Sequence, residues 1–215
     1  MNTQYEDFFN KLMRAMARIE KENLTQNEEI PLGISNRHIH LSQQDLEKLF
    51  GVGYELTKSK ELMQPGQFAS KETLLVCGPK GAISKVRVLG PVRKQTQVEL
   101  LEGDGFKLGI KAPVRMSGDL AGTPGATLIG PRGTVVMSEG VIVAQRHIHM
   151  TIEQAASFGV HDGETVDLEC YGSRAGLLHN VVIRANSNSR LECHLDTEEA
   201  NALGLTSGSR IRILK

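Results

Sequence analysis

The chain has no tryptophan, and aromatic residues make up only 4 % of its 215 positions. Its three cysteines, Cys77, Cys170 and Cys193, form an odd set without a C-x-x-C pair. That argues against a disulfide framework and against a cysteine-bound structural zinc. Charge of either sign is not in excess, with 25 Lys plus Arg against 25 Asp plus Glu. The chain is therefore not expected to wrap nucleic acid, and any anion site must be local. No apolar run approaches the roughly 20 residues that a membrane-crossing helix needs. The N-terminal residues lack the charged-then-apolar layout of a secretory signal. Together these absences predict a cytoplasmic protein that acts on neither membrane nor nucleic acid.

What is present is glycine, 22 residues of it, scattered between short valine- and isoleucine-rich runs. This pattern predicts a mainly β fold with tight turns, built as small barrels or sandwiches. The length suits one large domain or two small ones. Residues 3–22 carry Tyr5, Phe8, Phe9, Leu12, Met13, Met16 and Ile19 at three- and four-residue spacing, which predicts an amphipathic helix. The polar residues 23–29 read as a linker. Such a helix either packs on the body or a partner, or serves as a detachable docking peptide. Beyond it the pattern predicts strands at 30–35, 73–77, 83–89, 96–101, 135–144, 165–170, 180–185, 191–195 and 209–214. Short helices are predicted after Ser42, after Thr151 and near 197–203. Ser42 with Asp45, and Thr151 with Gln154, have the spacing of capping boxes. The Gly- and Pro-rich stretch 112–134 reads as loop and turns.

An internal repeat is the most informative feature. RHIHLS at 37–42 recurs as RHIHMT at 146–151, and QVELLEGDGFKLG at 97–109 aligns without a gap on ECHLDTEEANALG at 192–204. The second alignment places Glu99 opposite His194. Each half thus supplies one kit of potential metal ligands: His38, His40 and Glu99 in the first, His147, His149 and His194 in the second. Side chains alternate along a strand, so H-x-H turns both imidazoles to one face. Two imidazoles plus a third ligand leave a coordination position open, as catalytic zinc sites do. Imidazole and carboxylate suit zinc ahead of manganese, cobalt or iron. One H-x-H is weak evidence; two inside a repeat, each with a ligand-type residue at the matching third place, are much stronger. His161 and His179 stand outside the repeat and read as surface residues. Arg37 and Arg146 precede the two H-x-H pairs, and Arg93 lies six residues before Glu99. A guanidinium fork matches phosphate or carboxylate, although each arginine alone could equally be a surface charge or an inter-domain ion pair.

The segments LGISNRHIHLS, GPKGAISKVRVLGPVRKQTQVE, PVRMSGDLAGTPG, GVIVAQRHIHM and CHLDTEEANA resemble, in order, the motifs of PduL-type phosphotransacylases, the phosphate propanoyltransferases. The resemblance runs from about residue 30 to 210. It implies two small β-barrels related by duplication and capped by short helices, the first formed by 30–36 with 145–215 and the second by 37–144, after an N-terminal segment 1–29. It implies two zinc ions per chain, one held by His38, His40 and Glu99 and the other by His147, His149 and His194, with Arg93 holding phosphate. The implied reaction is acyl-CoA plus phosphate to acyl phosphate plus CoA, with a propanoyl or acetyl group, in a homodimer. Family members that work inside bacterial microcompartments often carry an N-terminal amphipathic extension, and residues 3–22 resemble one that would meet shell proteins. After TQVE the chain departs from the family pattern with LLEGDGF, where the resemblance puts a CoA contact near Phe106.

No cysteine lies in a nucleophile motif and no G-x-S-x-G is present, so direct attack by phosphate is the simpler mechanism. Two other readings compete. A metal-dependent phosphoesterase or thioesterase would use the same open metals to activate water. A metal-stabilised scaffold would use them for structure alone, though six ligand-type residues exceed that need.

Overall fold

The structure, a computed structural model, describes residues 29–214 together with Lys11 and Met13. The helix expected over 3–22 thus lies outside the described residues except at those two positions. The first half runs β1 (Ile30–Ser35), β2 (His38–Ser42), α1 (Gln43–Phe50), β3 (Lys58–Glu61), β4 (Phe68–Cys77), β5 (Ala82–Arg93), β6 (Gln97–Leu100) and α2 (Glu102–Leu108). Three short strands follow, β7 (Val114–Arg115), β8 (Thr127–Ile129) and β9 (Thr134–Val136), and then β10 (Val141–Ala144). The second half runs β11 (His147–Met150), α3 (Ile152–Phe158), β12 (Thr165–Cys170), β13 (Gly176–Ala185), β14 (Glu192–Asp196), α4 (Thr197–Leu203) and β15 (Arg210–Leu214).

Six strands close into a barrel in the order β1-β14-β11-β13-β12-β15, with β15 returning to β1. Its interior is filled by Ile30, Ile148, Met150, Leu168, Ile183, Leu195 and Ile211, all fully buried or nearly so. The other nine strands form one sheet in the order β7-β10-β6-β2-β5-β4-β8-β9, with β3 added on β4. This sheet curls as a half-barrel around Ile39, Leu41, Leu46, Leu49, Val88, Val98 and Leu128. Its path ends at β7 and β9, only two and three residues long, and those ends do not pair with each other. No helix among the described residues is long and apolar enough to cross a membrane.

The duplication is visible strand by strand: β2, β5, β6 and β4 occupy in the sheet the places of β11, β13, β14 and β12 in the barrel. The strands that precede the two H-x-H segments are exchanged. Strand β1 leads into β2 but pairs in parallel with β14 of the barrel; β10 leads into β11 but pairs in parallel with β6 of the sheet. The chain therefore crosses between the halves twice, at 36–37 and at 145–146, immediately before each histidine pair.

Caps fix the helix starts. Thr151 and Gln154 form a full box, Gln154 N donating to Thr151 Oγ1 at 3.2 Å and Thr151 N to Gln154 Oε1 at 2.9 Å. Ser42 forms only half of one. It accepts from Asp45 N at 3.2 Å, but the Asp45 carboxylate, one methylene shorter than glutamate, accepts from Thr96 Oγ1 at 2.6 Å instead of reaching back. Four departures from the sequence reading have local causes. The expected strand 135–144 is broken into β9 and β10 by a turn in which Gly140 adopts φ 115°. The loop expected over 112–134 contains β7 and β8. Strand β3, KSKE, is exposed at every position and so shows no apolar alternation. Helix α2, EGDGFKL, carries two glycines that weaken its helical signal.

Burial sets the first prediction. Truncating Leu168, which is 0 % exposed, to alanine lowers unfolding free energy by about 2–5 kcal/mol. Val52→Ala, at a side chain 92 % exposed, changes it by no more than about 0.5 kcal/mol. Urea denaturation followed by circular dichroism measures both.

Candidate metal centre

Strand register assembles the two trios. Antiparallel pairing of β2 with β6 sets His38 opposite Glu99 and His40 opposite Gln97. Pairing of β11 with β14 sets His147 opposite His194 and His149 opposite Glu192. Alternation then brings the two H-x-H imidazoles and the facing side chain together on one face. The ligand-type atoms of His38, His40 and Glu99 lie within 4.8 Å of one another, as do those of His147, His149 and His194. In the second trio the three rings stand edge-on, with centroids 4.7, 4.9 and 4.8 Å apart. The Nε2 atoms of His147 and His149 are 3.0 Å apart.

The leading histidine of each pair is anchored through its other nitrogen. His38 Nδ1 meets Asn36 O at 2.7 Å, and His147 Nδ1 meets Gln145 O at 2.8 Å. A backbone acceptor at Nδ1 fixes a proton there and turns Nε2 into the trio. Burial holds His147 down to about 4, aided by the charge of His194. It holds His149 to about 2, aided by His147 and His194, and His40 well below the ordinary range, aided by His38. For Glu99, burial favours the neutral acid, but His38 and His40 outweigh it and keep the carboxyl ionised. For His38, burial opposes the charged ring and the Glu99 carboxylate overcomes it. Unprotonated imidazole lone pairs converging at 3.0 Å, and an ionised carboxylate between two rings, form a donor set that fits a divalent cation in each trio.

Both trios open on one cleft of about 690 Å³ between barrel and sheet, which Arg93, Arg184 and Ser117 also line. Arg93 is half-buried and donates from Nη1 to Ser117 Oγ at 2.8 Å. Burial depresses its pKa; Glu99 supports its charge and Arg184 opposes it. Arg184, on β13 beside His149, is half-buried, and its guanidinium makes no hydrogen bond or ion pair with any of the described residues. Arg37 and Arg146 behave differently. Arg37 pairs with Asp104 at 2.6 Å and Arg146 with Glu199 at 2.8 Å. These carboxylates sit at equivalent places in the first turns of α2 and α4, so the two arginines brace the strand-to-helix joints. Phe106, on α2, is 83 % exposed and does not line the cleft. His161 and His179 are exposed, beside Glu164 and Asp167.

Three residues of the cleft have no role assigned by the sequence alone: Arg184, Glu192 and Gln64. Arg184 left a signal, a lone charge inside the apolar run VVIRA. Glu192 holds the place beside His194 that Gln97 holds beside Glu99. Gln64 lies in an irregular turn with no repeat partner, and nothing in the sequence singles it out.

A protein-family model described as phosphate propanoyltransferase matches residues 31–206. The chain belongs to the phosphate propanoyltransferase family. It is similar to the phosphate propanoyltransferase of Rhodobacter capsulatus, 54 % identical over 186 residues covering 86 % of each chain. Its similarity to that of Salmonella typhimurium is 51 % identity over 176 residues, 81 % of this chain and 83 % of the relative. The phosphate propanoyltransferase of Clostridioides difficile is 44 % identical over 211 residues, 98 % of this chain and 99 % of that one. Members of this family are acyltransferases.

The donor sets predict independent metal sites. His149→Ala, in the second trio, is expected to lower the uptake of added zinc by one equivalent and to keep the equivalent expected at His38, His40 and Glu99. Elemental analysis of wild type and variant reads the count, and an unchanged far-ultraviolet circular dichroism spectrum shows that the fold is kept.

Proposed function

We propose that this phosphate propanoyltransferase family member interconverts a short-chain acyl-CoA and phosphate with an acyl phosphate and CoA. The observation that carries the reading is the pairing, in one cleft, of two converging ligand trios with two half-buried arginines, Arg93 and Arg184, that no carboxylate among the described residues contacts directly. Such a cleft attracts small anions. The names of the relatives supply the acyl acceptor.

His38, His40 and Glu99 would hold one zinc, and His147, His149 and His194 the other. Bound there, zinc supplies Lewis-acid polarisation of the thioester carbonyl and a soft seat for the CoA sulfur. The remaining work falls to the chain. Arg93, steadied by Ser117, and Arg184 from the opposite half hold phosphate as a two-sided clamp and offset its charge. A phosphate oxygen attacks the carbonyl carbon, the carbon–oxygen bond forms, the carbon–sulfur bond breaks, and CoA leaves as thiolate. Direct attack is favoured because no cysteine is available as a nucleophile. Cys170 and Cys193 are buried inside the barrel, where burial pushes their thiols up, and Cys77 is not among the residues lining the cleft. Ordering phosphate against a fixed carbonyl is the main gain.

Finer points belong to the same reading. The acyl group is propanoyl or acetyl. The exposed Phe106 ring offers an aromatic face for a distal part of CoA. The enzyme acts as a homodimer, and residues 3–22 dock it to microcompartment shell proteins, a role supported by their apolar periodicity. The hydrolase alternative has no support among the relatives, since those named above are all phosphate propanoyltransferases.

A thiol-detecting assay tests the reaction. CoA release from propanoyl-CoA requires added phosphate; release at the same rate without phosphate would overturn the proposal in favour of a hydrolase. Arg93→Ala is expected to lower kcat/KM for phosphate about 10²–10³-fold, the scale of losing one well-placed oxyanion donor, with zinc content unchanged.

A further inference from the structure

Glu192 lies on β14 two residues before His194 and faces the same side. It is buried, at 7 % exposure. Its Oε2 contacts His194 Nε2 at 2.8 Å and accepts from Gln64 Nε2 at 2.9 Å. Gln64 belongs to the open sheet, in the turn between β3 and β4. It grips the barrel a second time, donating to Arg190 O at 2.9 Å and accepting from Arg190 N at 3.2 Å. Gly33, on β1 opposite His194, leaves the room this arrangement needs. A Cβ there would stand 2.5 Å from Glu192 Oε1 and 3.0 Å from His194 Cδ2.

The other half offers an internal control. Gln97 occupies the place of Glu192, two residues before Glu99, and its Nε2 donates to Glu99 Oε1 at 2.5 Å. In both halves, then, the residue two before the third ligand hydrogen-bonds that ligand. Where the ligand is a carboxylate, the neighbour is an amide donor. Where it is an imidazole, the neighbour is a carboxylate acceptor. The two positions differ together, in the sense that keeps a hydrogen bond. Glu192 itself is not part of the second cluster, whose ligand atoms all lie within 4.8 Å of one another.

We infer that Glu192, clamped by Gln64 from the opposite sheet, is the positioning residue for His194: it accepts the Nε2 proton, so that Nδ1 is the nitrogen left without a proton for the metal. A carboxylate behind a metal-bound histidine fixes its tautomer and ring angle and raises its basicity. Here the second support arrives from the other half of the duplication, so the three-histidine trio is fully braced only when barrel and sheet are docked. The inference rests on the metal reading of that trio.

The test uses the full chain stripped of metal and titrated with zinc against a chromophoric chelator, then with cobalt(II) followed by its visible absorption. Wild type is expected to bind two equivalents; binding of none at the three-histidine trio would sink the metal reading itself. With two bound, Glu192→Ala is expected to weaken the three-histidine site about 10–100-fold and leave the other site unchanged. The cobalt(II) band shape should persist, because no ligand is lost. Glu192→Gln, which keeps a carbonyl acceptor in nearly the same volume, should recover part of the affinity. Gly33→Ala, which forces Glu192 aside, and Gln64→Ala should weaken the same site. Wild-type affinity in Glu192→Ala would overturn the inference while leaving the metal reading intact. A changed band shape would overturn it too, by making Glu192 a ligand.

Discussion

The register of two antiparallel pairs, β2 on β6 and β11 on β14, is the constraint on which the site depends. It sets His38 against Glu99 and His147 against His194. Strand side chains alternate, so a slip of one residue in either pair would turn that trio's facing ligand to the other side of the sheet and into the apolar core. The apolar partners prevent it. Ile39 and Ile148, between the histidines of each pair, are 0 % exposed, and a slip would drive histidines into their places. The hydrophobic effect thus holds the metal ligands in line without touching them.

Around that register the fold concentrates polar groups and ties several of them down, while Nδ1 of His40 and of His149 is buried with no hydrogen-bond partner among the described residues. Nδ1 of His38 and His147 is tied to backbone, and Arg37 and Arg146 are tied to the helix-capping carboxylates Asp104 and Glu199. Among the described residues, Arg93 and Arg184 have no acidic partner in direct contact. Two positive groups lining one half-buried cleft repel, and an anion held between them would offset that repulsion. The contrast between braced and unpaired arginines separates scaffold from binding site on electrostatic grounds.

Much of this could be read from the sequence because the site is repeated. H-x-H twice, with Glu99 and His194 aligned in a second repeated segment, carries both trios, and capping residues mark α1 and α3. Residues without a periodic or repeated signature stayed hidden. Strand β3 is polar on every side, α2 contains two glycines, and Gln64 acts from a turn whose sequence encodes no contact. Arg184 and Glu192 were visible as letters, but their roles depend on which strand lies alongside, and only the three-dimensional pairing supplies that. The order of strands was harder still. Nothing in Val141–Ala144 says that it joins the sheet rather than the barrel it leads into.

That exchange of β1 and β10 has a consequence for how the molecule comes apart. Each half lends the other a strand, so neither copy of the duplicated unit owns a whole scaffold. Cutting the chain just before β10 would leave one fragment with a gap in its barrel and another with a missing rung in its sheet. Melting of one should drag the other along, as a single cooperative event and not as two independent losses. An ancestor made of two identical chains would have traded these segments as swapped arms, and fusion would have made the trade permanent.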